Sequence, residues 1–542
     1  MITLFKNGNI HTMDEVSTAD AFVVKDNKFA YVGTESGAKN FLKNQNFIEM
    51  DLKGHFVMPG FNDSHMHFLY FAKSLKNINL TGVRSIEEIK GRIKENLERR
   101  EPCDDSWIEG EGWNQDFFIE EKRFPNKFDL DSVTGDIPAV IMRTCFHIGV
   151  LNSAALKRVG LNKETAKEYG DLVETLSDGE PNGVIKEGLV SIVKRHIPTI
   201  KLETLKNLMD EAQHYALAQG ITSIQTDDIG YTIGNYELLF QAFKELDEEG
   251  KLNIRLGEQC LITEIDKLKT FFKKGFNRGY GNNKYRVSCI KLLCDGSLGA
   301  RTAALRNPYN DAPSTKGIET FTQDELNQLV LLPHKNNCPV AIHGIGDRAI
   351  EMALDAIEYA QKNDPAHYPR HGIVHCQVTD EGILRRIQKL NVLTYVQPIF
   401  VDFDMYIVYD RVGKELAETS YAWKSMIDKG IHTSLGTDCP VERFDTMPNI
   451  YLAVERKNTI REDKKVYLPN EKLTIDEALK AYTIEGAYAS GEEHIKGSIT
   501  KGKLADFILL NKDLYNLTDN EEILNTKVLE TYVDGELVYR KQ

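Results

Sequence analysis

The sequence predicts an α/β protein: a (β/α)8 TIM-type barrel, a composite β-sandwich drawn from both termini, and a large insertion after barrel strand 1. Three observations carry this. Short period-2 strands broken by turns fill both ends of the chain, and apolar strands alternate with helical patterns between them. About 150 residues separate the first of those middle strands from the second, far beyond an ordinary βα connection.

At the N-terminal end, residues 1–56 read as short strands at 4–6, 21–24, 29–32 and 47–51, with a turn at Asn7-Gly8-Asn9. Residues 495–542 look alike, with strands at 504–510, 528–533 and 537–539 and a turn at Asp534-Gly535. Two such β-rich ends can pair into one sandwich. The barrel is expected over 57–70 and 201–494, its strands at 56–62, 221–226, 254–261, 286–294, 340–343, 372–376, 392–397 and 432–436. Residues 71–200 form the insertion. The gap between the first two barrel strands holds helical stretches at 85–100 and 202–219, a patch around Trp107 and Trp113, and a tight turn over 178–183. An insertion after a barrel strand lands on the catalytic face, so this one is expected to cover the active site. A helical stripe over 476–487 reads as core packing.

Composition narrows the function. The 542 residues are 41% hydrophobic and 27% charged, which is globular and too long for one ordinary core. Asp plus Glu (81) outnumber Lys plus Arg (67), and the formal charge of −14 opposes binding to nucleic-acid phosphates or an anionic membrane. With no basic leader and no membrane-length apolar run, the reading is a cytoplasmic protein acting on a small molecule. Eight cysteines form no C-x-x-C pair and read as buried thiols.

The chemistry collects at strand ends. In Asp63-Ser64-His65-Met66-His67 the two histidines alternate onto one face of an extended strand and can close on one cation. His343 ends one apolar strand, His375 ends the next, and Asp438 follows another at the same rim. Any one of these alone is more simply a hydrogen-bonding or capping residue. Their shared placement favours a divalent metal, with zinc suiting the ligand set best and ligand type alone not ruling out manganese, iron or cobalt. Lys291 lies in a run too apolar for a solvated ammonium. Burial favours its neutral amine, which can take up carbon dioxide as a carbamate able to bridge two cations. The plainer alternative is a lysine paired with a carboxylate.

Nearly the whole chain resembles the amidohydrolase superfamily, in particular the amidohydrolase-3 branch that includes N-substituted formamide deformylases. The marks are VMPGFNDSHMHF, EGWNQDFF, HIGVLNSAAL, GITSIQTDD, KLLCDGSLGARTAAL, VAIHGIGDRAI, IVHCQV, TYVQPIF, LGTDCPVE and GSITKGKLADFILL. The resemblance implies ligands on barrel strands 1, 4, 5, 6 and 8. His65, His67 and Asp438 would hold a first metal, His343 and His375 a second, and carbamylated Lys291 would bridge them. Relatives bind one or two ions, and a homodimer is common among them. The implied reaction is hydrolysis of a non-peptide carbon–nitrogen bond by metal-activated water, with Asp438 as general base and acid. Within the shared motifs, Trp113, Asn114, Asp116, His147, Glu187, Asp295, Arg301, Gln397 and Arg411 are candidates for substrate contact.

Two alternatives belong to the same fold: a cyclic-amide or cyclic-imide ring opener and a deaminase. Superfamily deaminases usually work with one metal and lack the bridging lysine, so Lys291 weighs against them. A metal-free scaffold is the third alternative, and it would be expected to have lost ligands that are all present here.

Overall fold

The computed structural model describes every residue except 16, 99–106, 120, 144–147, 195, 198 and 199. Two compact units divide the chain, one of Met1–Tyr70 with Leu205–Gln542 and one of Phe71–Thr204.

The larger unit contains a barrel whose strands are β1 (Phe61–Met66), β2 (Ile221–Thr226), β3 (Arg255–Leu261), β4 (Tyr285–Leu293), β5 (Val340–Gly344), β6 (Gly372–His375), β7 (Leu393–Val396) and β8 (Thr433–Leu435). Each pairs in parallel with the next. Parallel strands covered on both faces must be apolar almost throughout, and β1, β2, β6, β7 and β8 are buried at every residue. The circle closes beyond the end of β8, where Asp438 N donates to His65 O at 2.8 Å and His67 N donates to Cys439 O at 2.8 Å. Gly436 makes this approach possible, since a Cβ there would lie 2.7 Å from His65 N.

The first barrel strand corrects the sequence reading. The run expected as one strand over 56–62 is two, divided at Gly60. Phe56–Pro59 belongs to a sandwich sheet, antiparallel to Phe507–Leu510, while Phe61–Met66 is β1. The backbone changes partner within one residue: Gly60 N donates to Asp506 O at 3.2 Å and Phe61 N to Gly220 O at 2.9 Å. A Cβ on Gly60 would sit 2.2 Å from Thr222 Oγ1, so only glycine passes.

Both termini build the sandwich. A four-stranded sheet runs in the order Lys28–Gly33, Ala21–Lys25, Ile2–Lys6, Ile48–Asp51. A six-stranded sheet runs Glu536–Arg540, Val528–Val533, Phe507–Leu510, Phe56–Pro59, Asn9–His11, Thr18–Ala19. Their shared core holds Phe5, Phe22, Phe29, Phe507 and Tyr532, with the last two rings stacked at 4.4 Å.

The helical stripe over 476–487 is also two elements, Ile475–Ala481 and Ile484–Ser490. Thr483 breaks from helical geometry at φ −135°, ψ −88°, and the interruption leaves Tyr482 O to accept from Asn62 N of β1 at 2.8 Å. Ala478, Leu479 and Ala487 are nonetheless buried, as a packing stripe requires.

The smaller unit is a mixed six-stranded sheet in the order Val173–Thr175, Pro181–Lys186, Ile148–Leu151, Ala139–Arg143, Ile108–Trp113, Ile78–Asn79. Apolar clusters around Trp113 and around Trp107 form two separate cores. Among the described residues, no helix is long and apolar enough to cross a membrane. Six cysteines among them are free and buried, and Cys103 and Cys145 lie outside the described residues.

Candidate metal centre

Alternation along β1 puts Asp63, His65 and His67 on one face. His65 Nε2 and His67 Nε2 lie 3.4 Å and 3.1 Å from Asp438 Oδ1. These three ligand atoms all fall within 4.8 Å of one another. Lys291 Nζ, from β4, lies 2.9 Å from His65 Nε2. His375 at the end of β6 has its ring 5.8 Å from that of His65, and His343 of β5 has its ring 4.5 Å from that of His375. All six candidate ligands therefore share one cluster.

The outer edges of the rings are taken. His65 Nδ1 meets Gln259 Oε1 at 2.7 Å, and Gln259 Nε2 donates to Ser64 O at 3.1 Å, which fixes its amide and leaves the histidine as donor. His67 Nδ1 donates to Asp227 O at 3.0 Å. His375 Nδ1 donates to Gln397 Oε1 at 2.8 Å, with Gln397 Nε2 held by Tyr395 O at 3.1 Å. His343 is reversed: its Nε2 meets Gly296 O at 3.0 Å and Asp295 Oδ1 at 3.2 Å. A donor on one ring nitrogen of a neutral imidazole leaves a lone pair on the other, so Nε2 of His65 and His375 and Nδ1 of His343 are placed to coordinate, while Nε2 of His67 could do so only on giving up the proton it shares with Asp438.

The electrostatics suit a cation. Burial would raise the Asp438 carboxyl, but the hydrogen bond from His67 and the surrounding imidazoles of His375, His65 and His67 hold it well below the ordinary carboxylate range. Burial opposes charging of His67, yet its bond to Asp438 and the charges of Asp438 and Asp227 lift it to about 9. His65 and His375 are pushed well below their usual value by burial and are neutral. Burial also pulls the Lys291 ammonium down, against the charges of Asp227 and Asp438.

Several functional-site residues were not singled out from sequence. Asp63 accepts from Thr437 Oγ1 at 2.6 Å, from Thr437 N at 3.1 Å and from His65 N at 3.2 Å, lashing β1 to the end of β8. Its place two residues before His65 was the available signal. Asp227, fully buried, has no donor on either carboxylate oxygen among the described residues. An ion-free carboxylate in that state is costly, and its charge acts on Lys291 and His67. A resident divalent cation therefore fits the donor set: carboxylate and imidazole ligands converge beside an unsatisfied buried anion.

The candidate substrate contacts belong to both units. Asp295 is buried and accepts from Ile345 N, Gly346 N and Ala304 N at 3.1, 2.8 and 2.9 Å, so it braces the loop behind His343. Gln397 orients His375. Arg301 and Arg411 both bind Asp311, and Arg411 also reaches Gly299 O at 3.2 Å. In the smaller unit, Trp113 is a core residue whose Nε1 donates to Ile141 O at 3.3 Å. Asn114 and Asp116 bind Arg143 at 3.0 and 3.2 Å. Glu187 is exposed between a strand and a helix, and His147 lies outside the described residues.

The amidohydrolase family model matches residues 49–539. The Bacillus subtilis protein YtcJ, which carries the amidohydrolase name, is 30% identical over 542 residues, covering all of both chains. The N-substituted formamide deformylase of Arthrobacter pascens is 25% identical, over 99% of this chain and 98% of that one. The crystal structure of an uncharacterized metal-dependent hydrolase from Pyrococcus horikoshii superposes with a TM-score of 0.81 at 29% identity, covering 95% of this chain and 99% of that one. By sequence over nearly its full length and by fold, this chain belongs to the amidohydrolase family.

Proposed function

We propose that the protein is a metal-dependent hydrolase of a non-peptide carbon–nitrogen bond, with an N-substituted formamide as the first substrate class to examine. The observation that carries this is the convergence of His65 Nε2, His67 Nε2 and Asp438 Oδ1 within 4.8 Å at the mouth of the barrel. His65, His67 and Asp438 would hold one divalent ion, zinc by ligand type, His343 and His375 would be the ligands available to a second, and Lys291 would contribute an anionic ligand if carbamylated. Bound there, a divalent metal supplies Lewis-acid polarisation of a carbonyl and a water acidified from about 15.7 toward 7.

The chain's own residues do the rest. Gln259, Gln397, Asp295 and the Asp227 carbonyl keep each imidazole in its coordinating tautomer. Asp438, ionised and buried, accepts a proton at a carboxylate oxygen and returns it to the leaving nitrogen. Lys291, stripped of solvent, is biased toward the neutral amine that carbamylation requires. The formamide preference draws on similarity to the Arthrobacter pascens enzyme over nearly both chains.

A product assay tests the reading. Zinc- or manganese-loaded protein is given a panel of N-alkyl formamides, primary amides and cyclic imides, and formate, ammonia and ring-opened acid are measured. Formate release supports the proposal. Ammonia as the only product assigns deamination or primary-amide hydrolysis instead, and ring-opened acid alone assigns the cyclic class.

A further inference from the structure

β2 leads directly into a carboxylate that the fold leaves without a partner. Thr226 Oγ1 accepts from Phe68 N at 2.8 Å and Asp228 Oδ1 from Leu69 N at 2.7 Å, so both of these side chains turn to the helix that follows β1. Asp227 lies between them and alternates to the other side. Its backbone is fixed on β1: its N donates to Met66 O at 3.0 Å and its O accepts from His67 Nδ1 at 3.0 Å. β2 and β3 pair Gln225 with Gly257, and the same register two residues on sets Asp227 beside Gln259, whose amide holds His65. The carboxylate therefore faces the candidate ligands.

Asp227 is fully buried, and neither carboxylate oxygen meets a donor among the described residues. Its buried neighbours are supplied: Asp63 has three donors and Asp295 three. Lys291 does not pair with Asp227, its Nζ lying instead 2.9 Å from His65 Nε2. Burial pushes the Asp227 carboxyl up, while Lys291, His67 and His343 pull it back. A buried carboxylate with neither donors nor an ion pair is costly, and a bound cation removes that cost. The ligand count points the same way. His65, His67 and Asp438 offer one ion three protein ligands, whereas His343 and His375 offer a second only two, one short of the three that a catalytic zinc takes from protein.

We propose that Asp227 is the third protein ligand of the second ion, beside His343 and His375, so that this ion can be held without a carbamate on Lys291. The inference rests on the metal-dependent reading of the site and adds β2 to the strands whose ends carry ligands. An anionic oxygen donor suits zinc and manganese alike.

The test reads metal binding rather than turnover. Full-length protein stripped of metal is titrated with zinc against a chromophoric chelator, and bound ions are counted by elemental analysis after dialysis. Wild type is expected to hold two ions and Asp227→Asn one, with the second ion weakened by more than the roughly 10- to 100-fold that loss of an orienting partner costs. Asp227→Glu keeps a carboxylate and should retain the second ion. Because the Asn substitution removes an unpaired buried charge, the metal-free variant should melt no lower than metal-free wild type, while zinc should raise its midpoint less. Two ions held by Asp227→Asn, or a weakening within the orienting range, would overturn the assignment. So would a wild type that holds a single ion, or a metal-free Asn variant that melts lower or does not fold, which would make Asp227 structural. A wild type that takes up no zinc would sink the metal-dependent reading along with it. Loss of the second ion in Asp227→Asn, with no carbon–nitrogen hydrolysis by the wild type, would keep the ligand and sink the hydrolase reading.

Discussion

At the scale of single residues, each of the four candidate histidine ligands has a partner that fixes its ring. Gln259 bonds His65 Nδ1 at 2.7 Å and holds its own amide on Ser64 O. Gln259→Ala should lower metal affinity by roughly 10- to 100-fold without removing a ligand, measurable by competition with a chromophoric chelator. Asp438→Asn keeps the shape but cannot take up a proton, so turnover should fall by about 10²- to 10⁴-fold in steady-state kinetics. Lys291→Ala should reduce two bound ions to one or none. A variant that keeps full metal content and activity would refute the bridging role. The six candidate ligands stood out in the sequence because each is a polar residue within or at the end of an apolar run. Asp227 and Gln259 could not, because their roles arise only when β2 and β3 are laid beside β1.

At the scale of elements, β5 and β6 are joined at their starts by a chain of fixed tautomers. Val340 N donates to His371 Nδ1 at 3.1 Å, so His371 Nε2 donates to His334 Nδ1 at 2.9 Å and His334 Nε2 donates to Asp364 O at 2.8 Å. Both ring nitrogens of His371 are engaged in this chain. Burial and the neighbouring His334 bring His371 down to about 3 from 6.5. The unfolded chain therefore binds a proton that the folded chain refuses. The contribution of neutral His371 is intact above about 6.5 and is lost as pH falls toward 3, at about 1.4 kcal/mol per pH unit for one proton. Urea denaturation between pH 7 and 4 should show this slope, and His371→Gln should flatten it. A pH-independent difference between the two proteins would contradict it. Sequence patterning reached the existence of these elements more readily than their partners. The run 56–62 looks like one strand because its apolar character is continuous across Gly60, yet the hydrogen-bond partner changes there from Asp506 to Gly220.

At the scale of the whole molecule, sandwich and barrel in the larger unit are tied by a buried charge cluster. Arg255, at the start of β3, meets Asp506 through two bonds of 2.6 and 2.7 Å and Asp534 at 2.7 Å. Asp506→Ala would leave that guanidinium with one carboxylate partner, and a loss of roughly 3–5 kcal/mol in denaturant unfolding is expected. The β-rich character of both termini was legible because period-2 patterns and turns are local. Their union was only an inference from likeness, and the tie that secures it spans 251 residues between Arg255 and Asp506. In the smaller unit, the helical pattern stood out while the six-stranded sheet did not, because its strands are short and separated by helices.

The most direct test of a metal-dependent hydrolase is elemental analysis of protein purified without chelator, then stripped and reconstituted with zinc. The account predicts up to two divalent ions per chain, with metal content falling by at least one ion when His65 and His67 are both replaced by Asn. A protein that stays metal-free and takes up no zinc on reconstitution would contradict it.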